Sequence, residues 1–338
     1  MTHLFGDAPH IIPAQPLAVT DDGSPDWASQ RLLTRYYLAA GVTGLAVGVH
    51  TTQFEIHDDD ALFARTLREV ADVVRGAGSD ITLIAGICGD IDQAVAEAKL
   101  ARDQGYVAGL VSPYGLTDRS EASFLARYRA VAEVLPVIGF YMQEAVGGQY
   151  FSPDFWASLL ELDQLVAIKV APFERYRTGD VARAIATSGR DDVVLLTGND
   201  DAIVTDLLLP HRFGDGELRF TGGLLGQWSV GTKAAVDLTR RIWDGHDGAV
   251  PQDILAAATD VTQVNQAVFD PEHKFAGSIA GVNETLRQQG LMTSSRCLAD
   301  DEVLAEGQAE RIARVRELYP ELLDEEFIAA NIDSWRDA

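Results

Sequence analysis

The sequence predicts an α/β protein, a (β/α)8 TIM barrel over residues 1–248 followed by a C-terminal helical extension over residues 249–338. Three observations carry that expectation. Eight short apolar runs recur between residue 11 and about residue 225, helix-like amphipathic stretches lie between them, and each strand-plus-helix unit takes roughly 25–35 residues. Doubly wound sheets more often have ~5–7 strands, so eight units favour the closed barrel.

The apolar runs are IIPAQPLAV (11–19), GLAVGVH (44–50), ITLIAGI (81–87), VAGLVSPY (107–114), PVIGFYM (136–142), LVAIKVA (165–171), VVLLTG (193–198) and ELRFTGGLL (217–225). Nearly continuous apolarity in such short pieces suits parallel strands covered on both faces, whereas a one-sided antiparallel sheet alternates apolar with polar. Helices are expected over 58–78, 90–105, 120–134 and 152–163, with acids in the first turn of 58–78, glycine at its end and a capping residue before each. Beyond the eighth unit the pattern becomes all-helical, over 251–268, 281–290, 299–318 and 320–331. With no strand of its own, this tail is expected to pack on the barrel or at a subunit contact.

Composition narrows the function classes. Of 338 residues, 47% are apolar and 23% charged, which suits a folded globule with a sizeable core. Acidic residues number 51 against 27 basic, a net charge of −24, and this argues against binding nucleic acid or an anionic membrane, both of which need a cationic face. Two cysteines, Cys88 and Cys297, are too few and too far apart for a disulfide framework or a CxxC metal site. The first thirty residues, with His3, Asp7, Pro9, Pro13 and Pro16, lack the pattern of a secretory leader, and no uninterrupted apolar run reaches ~18 residues. A cytoplasmic protein that crosses no membrane is expected.

In such a barrel the reacting groups sit at the carboxyl ends of the strands and in the loops after them. Lys169, in LVAIKVAP, is the most informative of these. Strand alternation puts it on one face with Leu165, Ala167 and Ala171, and puts Val166, Ile168 and Val170 on the other. Small neighbours suit a crowded interior with room for a ligand. A buried ammonium there loses hydration, its pKa falls, and the neutral amine becomes a nucleophile for a carbonyl, which is Schiff-base chemistry. The chain has only four lysines, Lys99, Lys169, Lys233 and Lys274, and only Lys169 falls within an expected strand. The bland alternative is a strand-end lysine that snorkels to water or pairs with Glu174.

Tyr141, in the preceding strand, shares its parity with Val137 and Gly139, so its phenol is expected to face the interior beside Lys169 and relay protons; the alternative is an ordinary core tyrosine. His50, Thr51 and Thr52 follow the second strand. Their hydroxyls and backbone N–H groups can hold a carboxylate, and His50 can act as acid or base; a Ser/Thr-rich turn is the alternative. Gly198 and Gly222 fall near the ends of the seventh and eighth strands, where barrels seat a ligand or simply turn tightly. The histidines, at 3, 10, 50, 57, 211, 246 and 273, show no HxH or HExxH spacing, and no GxGxxG or Walker motif follows the first strand, so neither metal catalysis nor nucleotide binding is expected.

Taken in order, GVTGLAVGVHTTQFE, GLVSPYG, PVIGFYM, LVAIKVA and LLTGNDDA resemble the dihydrodipicolinate synthase and N-acetylneuraminate lyase superfamily of class I aldolases, from residue 11 to about residue 230. The 28 residues from Tyr141 to Lys169 agree with the family pattern, and the helical tail also fits. The resemblance implies that Lys169 forms an imine with a 2-oxo acid, typically pyruvate, that Tyr141 is the proton relay, and that the loop after the second strand binds the carboxylate. Departures accompany it. The family's Gly-Thr-Thr-Gly-Glu loop stands here as Val49, His50, Thr51, Thr52, Gln53, keeping only the second threonine, Thr51. Gly115 stands where dihydrodipicolinate synthases have a relay tyrosine, and Gln143, Glu144, Ala145 and Val146 replace the stretch that carries an arginine. Losing that arginine removes a cation for a dicarboxylate-like second substrate.

The expected function is therefore a lyase that forms a Schiff base at Lys169 with a 2-oxo acid and carries out aldol cleavage, condensation or a related dehydration, other than dihydrodipicolinate synthesis itself. No metal or organic cofactor is expected, and the expected partner is the protein itself, as a homodimer or homotetramer. The rival reading is a non-catalytic barrel that still binds a small oxo acid; a metal-dependent barrel hydrolase or isomerase is a more distant one.

Overall fold

The computed structural model describes residues 4–337 apart from Asp7, Asp215, His246 and Asp247; His3 and His246 of the histidine survey lie outside the described residues. Eight parallel strands form the barrel: β1 (His10–Pro13), β2 (Gly44–Val47), β3 (Thr82–Ile87), β4 (Ala108–Val111), β5 (Val137–Met142), β6 (Leu165–Ala171), β7 (Val194–Thr197) and, after a short hairpin of β8 (His211–Phe213) and β9 (Gly216–Leu218), β10 (Phe220–Leu225). The sheet runs β1-β10-β7-β6-β5-β4-β3-β2, and a parallel bridge from Ala14 to Ala46 brings its two ends together. This is the (β/α)8 barrel.

The hairpin corrects the eighth expected strand. Glu217 and Leu218 pair antiparallel with Arg212 and His211 outside the barrel, and the barrel strand begins only at Phe220. On the outside lie α1 (Trp27–Ala40), α2 (Asp60–Gly76), α3 (Ile91–Asp103), α4 (Glu121–Ala132), α5 (Pro153–Leu160), α6 (Arg175–Ser188), α7 (Ile203–Leu208) and α8 (Thr232–Asp244). Their starts follow local chemistry. Asp59, Asp90, Ser120 and Ser152 each accept backbone N–H bonds at the head of α2, α3, α4 and α5, and Pro153 opens α5, where its missing N–H costs nothing. The extension adds α9 (Gln252–Phe269), α10 (Ser278–Gln288), α11 (Gln308–Leu318) and α12 (Glu325–Arg336). Among the described residues no helix is long and apolar enough to cross a membrane.

Two apolar layers follow from strand alternation. Ile12, Ala46, Ile84, Leu110, Ile138 and Leu196 fill the barrel, while Ile11, Leu45, Leu83, Val111, Val137 and Leu195 pack under the helices. In β6 the alternation breaks once. Val137 pairs with Leu165 but Ile138 pairs with Ala167, so Val166 is an extra, bulged residue. Leu165 therefore packs outward and Val166 leans inward, a correction to the face expected for Leu165. Beyond the bulge Ala167, Lys169 and Ala171 face the interior, and Ile168 and Val170 face the helices.

Candidate active site

Lys169 enters a cavity at the carboxyl end of the barrel, closed above by the extension. The cavity measures about 60 Å3. One ordered water needs ~10–15 Å3 on this scale, so there is room for a handful of non-hydrogen atoms. Lys169, Phe140, Asp200, Gly198, Ala171 and Met142 come from the strand ends of β5 to β7, Val49, His50 and Thr51 from the turn after β2, and Phe269, Phe275 and Ser278 from the extension. Phe173 and Phe275 have positive φ, 53° and 66°, which bulky residues rarely adopt, and their rings meet edge to face with centroids 5.5 Å apart.

Lys169 is 8% exposed, and burial pushes its amine well below the usual lysine range, although Asp200 draws it back up. Its Nζ stands 4.5 Å from the centroid of the Phe140 ring. Glu174, the alternative partner, instead caps α6 through the N–H groups of Tyr176 and Arg177. Asp200 also lines the cavity. Burial lifts its carboxyl well above the ordinary carboxylate range against the pull of the Gln227 N–H and Lys169. Sequence reasoning missed Asp200, although LLTGNDD ends a barrel strand and two adjacent acids there were visible.

Gly198 makes space for the lysine. A Cβ at this position would stand 2.6 Å from Lys169 Cε and 2.8 Å from Ala171 Cβ. Gly198→Ala is expected to cost about 1–3 kcal/mol of stability by overpacking. Because the atom displaced carries the amine, carbonyl trapping at Lys169 should fall further than thermal stability does, which parallel melting and trapping assays would read.

The remaining expected site residues divide. His50 and Thr51 line the cavity, and burial together with the Lys169 charge pushes His50 down to about 4, so its ring is neutral near pH 7. Thr52 does not reach it: its hydroxyl accepts from Gly48 N–H at 3.0 Å and donates to the Gln15 carbonyl at 2.7 Å, pinning the turn to the chain after β1. Gly222 lies within β10 against β1, where a Cβ would stand 2.0 Å from the His10 carbonyl oxygen; the glycine that this segment sends to the cavity is Gly226.

Tyr141 requires the largest correction. Its ring packs outside the barrel against Trp156 and Phe151, with centroids 5.2 and 5.9 Å away, and it does not face Lys169. In the parallel register Phe140 pairs with Lys169 and Tyr141 with Val170, so Phe140 is the aromatic residue beside the amine. The bulge explains the error. Phe140 precedes Lys169 by 29 residues, and Val166 is the one residue that the ladder does not count. The glycine gap at Gly139 likewise faces Leu159 of α5 rather than the interior.

The turn carrying His50 and Thr51 is held from behind by a buried ion pair. His57 Nδ1 meets Glu97 Oε1 at 2.9 Å and Nε2 meets the Gly48 carbonyl at 2.7 Å, while Cys88 N–H donates to Glu97 Oε2 at 2.8 Å. Burial opposes charge on His57, but Cys88 and Glu97 outweigh it and hold the ring well above the usual histidine range. With acceptors at both nitrogens the imidazolium suits the site. Among the described residues no group of three His, Cys, Asp or Glu side chains is placed to hold a metal ion.

A family model described as the dihydrodipicolinate synthetase family matches residues 8–211. The chain belongs to that family. A curated relative, 4-hydroxy-tetrahydrodipicolinate synthase of Bifidobacterium longum strain DJO10A, is 29% identical over 206 residues, covering 59% of this chain and 63% of the relative. The match thus spans less than two thirds of that protein's length. Solved structures with the same fold include N-acetylneuraminate lyase from Fusobacterium nucleatum (TM-score 0.74, 16% identity, 93% of this chain and 99% of that one). Dihydrodipicolinate synthase from Bacteroides thetaiotaomicron is as similar (TM-score 0.74, 18% identity, 92% and 98%). The chloride-inhibited dihydrodipicolinate synthase from Acinetobacter baumannii, solved with pyruvate, follows at TM-score 0.73 and 20% identity, with 91% and 98% covered. In this chain a phenylalanine, Phe140, stands beside the lysine amine, and Gln143 and Val146 are part of the cavity wall.

Proposed function

We propose that this protein is a class I lyase whose Lys169 condenses with a 2-oxo acid such as pyruvate and then makes or breaks a carbon–carbon bond, or eliminates water, through the resulting imine. The observation that carries this reading is the Lys169 amine, buried at the end of a small cavity with its charge disfavoured by desolvation. A neutral amine attacks the carbonyl carbon, water leaves, and the protonated imine draws electrons from the adjacent bond. Thr51 and the leading N–H groups of its turn are suited to the carboxylate. The family supports a lyase, and the pyruvate complex of the Acinetobacter protein supports the acid.

The second substrate is proposed to differ from that of the Bifidobacterium relative. Lys169 is the one lysine or arginine among the residues lining the cavity, and the surrounding wall of Met142, Val146, Phe173, Phe269 and Phe275, with Gln143 and Ser278, offers no second cation to a dicarboxylate. One observation favours a second reading, a barrel that binds an oxo acid without turning it over: the ring beside Lys169 lacks a hydroxyl. The protein is further proposed to assemble as a homodimer or homotetramer.

Incubation with pyruvate and borohydride, followed by peptide mass mapping, tests the proposal. A reduced adduct on Lys169 is the expected result. No adduct there with any of a panel of 2-oxo acids would remove the chemical basis for the lyase.

A further inference from the structure

Imine chemistry needs a group that gives a proton to the departing hydroxyl and takes one from the carbon next to the imine. Phe140 occupies the place beside the amine from which a phenol would do this, and Tyr141 is on the far side of the sheet. Resting on the Schiff-base reading above, we infer that Asp200 is the acid–base group of this site, working from the loop after β7 in place of a phenol on β5.

Four observations support it. Asp200 and Lys169 line the same cavity, and Asp200 is the one carboxylate among its lining residues. Among the described residues no ion pair joins the two, yet each charge acts on the other, so both groups are near enough to address one molecule in the cavity. The carboxyl is also held in place: Oδ1 accepts from the Gln227 N–H at 2.9 Å, and the Asp200 carbonyl accepts from Nδ2 of Asn265 on α9, a residue only 5% exposed. The extension thereby reaches into the reaction centre. Finally, burial holds the Asp200 carboxyl well above its ordinary range, towards the neutral region where one group can serve as both acid and base. His50 is the other titratable group in the cavity wall. Its neutral ring, pushed down to about 4, is a weak base and has no proton to give near pH 7.

The steps balance. The neutral Lys169 amine adds to C2 of the oxo acid, the carbonyl π pair moves to oxygen, and a proton passes from the nitrogen to that oxygen to give a carbinolamine. Asp200, as the carboxylic acid, protonates the hydroxyl, which leaves as water while the nitrogen lone pair forms the protonated imine. Asp200, now the carboxylate, removes a proton from C3, and the C–H electron pair moves to neutralise the iminium, giving the enamine. Reversal in deuterium oxide places deuterium on C3.

Exchange of the pyruvate methyl protons in deuterium oxide, followed by NMR on the full-length protein, therefore reads Asp200 without a second substrate. Wild type should exchange. Asp200→Asn should still give the borohydride-trapped adduct on Lys169 after longer incubation, with exchange slowed on the order of 10²–10⁴-fold. Full exchange by a trapping-competent Asp200→Asn protein would overturn the inference and leave the Schiff base standing. Absence of any wild-type adduct would instead sink the Schiff-base reading. Should Asp200→Asn also fail to trap, Asp200→Ala with added formate decides: trapping and exchange restored by the exogenous carboxylic acid support Asp200, and no restoration overturns it.

Discussion

Lys169→Met is expected to abolish both the borohydride-trapped adduct and pyruvate methyl exchange while the protein stays folded. Methionine fills a similar volume with an adaptable, uncharged chain, and the site it would occupy is bounded by Phe140, Ala171 and Gly198. The wild-type amine also sets a pH dependence. Because burial lowers its pKa, the neutral nucleophile becomes abundant at a lower pH than for a free lysine at ~10.4. Trapping rates should rise about tenfold per pH unit on the acid side, stop rising well before pH ~10.4, and then fall as Asp200 loses the proton that expels water. A rate that keeps climbing to that value would mean an exposed, unperturbed amine. Retention of an adduct on another lysine in Lys169→Met would sink the assignment outright.

His57→Gln should produce the largest loss of stability, about 3–5 kcal/mol, because it leaves Glu97 buried without its counter-charge. Denaturant unfolding would measure it. The sign of the pH dependence follows from the raised pKa. The contribution of His57 is fully present below the unfolded-state value of ~6.5 and is lost as pH rises through the higher folded-state value. Wild type should therefore lose stability toward alkaline pH in a step that His57→Gln lacks. Carbonyl trapping should weaken too, since the pair holds the Gly48 carbonyl just before the turn that carries His50 and Thr51 to the cavity.

Lys169 was legible in the sequence because burial on both faces is written into an unbroken apolar strand, and a lone lysine inside such a run conflicts with it. His50, Thr51 and Gly198 were legible for a related reason: barrel geometry sends the ends of strands to one mouth, so position along the chain predicts position in space. Thr52 was not separable from Thr51. Which of two adjacent hydroxyls turns to the cavity depends on a tight turn whose hydrogen bonds run to Gly48 and to Gln15, a residue 37 positions away. Gly222 was misread because a glycine near a strand end serves a turn, a ligand or the close approach of two backbones equally well, and only its neighbour, here His10, distinguishes them.

By itself, then, the sequence determined the architecture and the amine. Hydrophobic period and helix caps are local properties, repeated eight times, and one misjudged element leaves the barrel intact. The tertiary structure alone decided what stands around that amine. A single bulged residue, Val166, changes the pairing of β5 with β6, and with a side-chain period of two a slip of one residue exchanges the two faces, bringing Phe140 in and sending Tyr141 out. Asp200 depends on contacts still farther apart, through Gln227 and Asn265, which no spacing rule encodes because they form only when the barrel closes and the extension folds over its mouth.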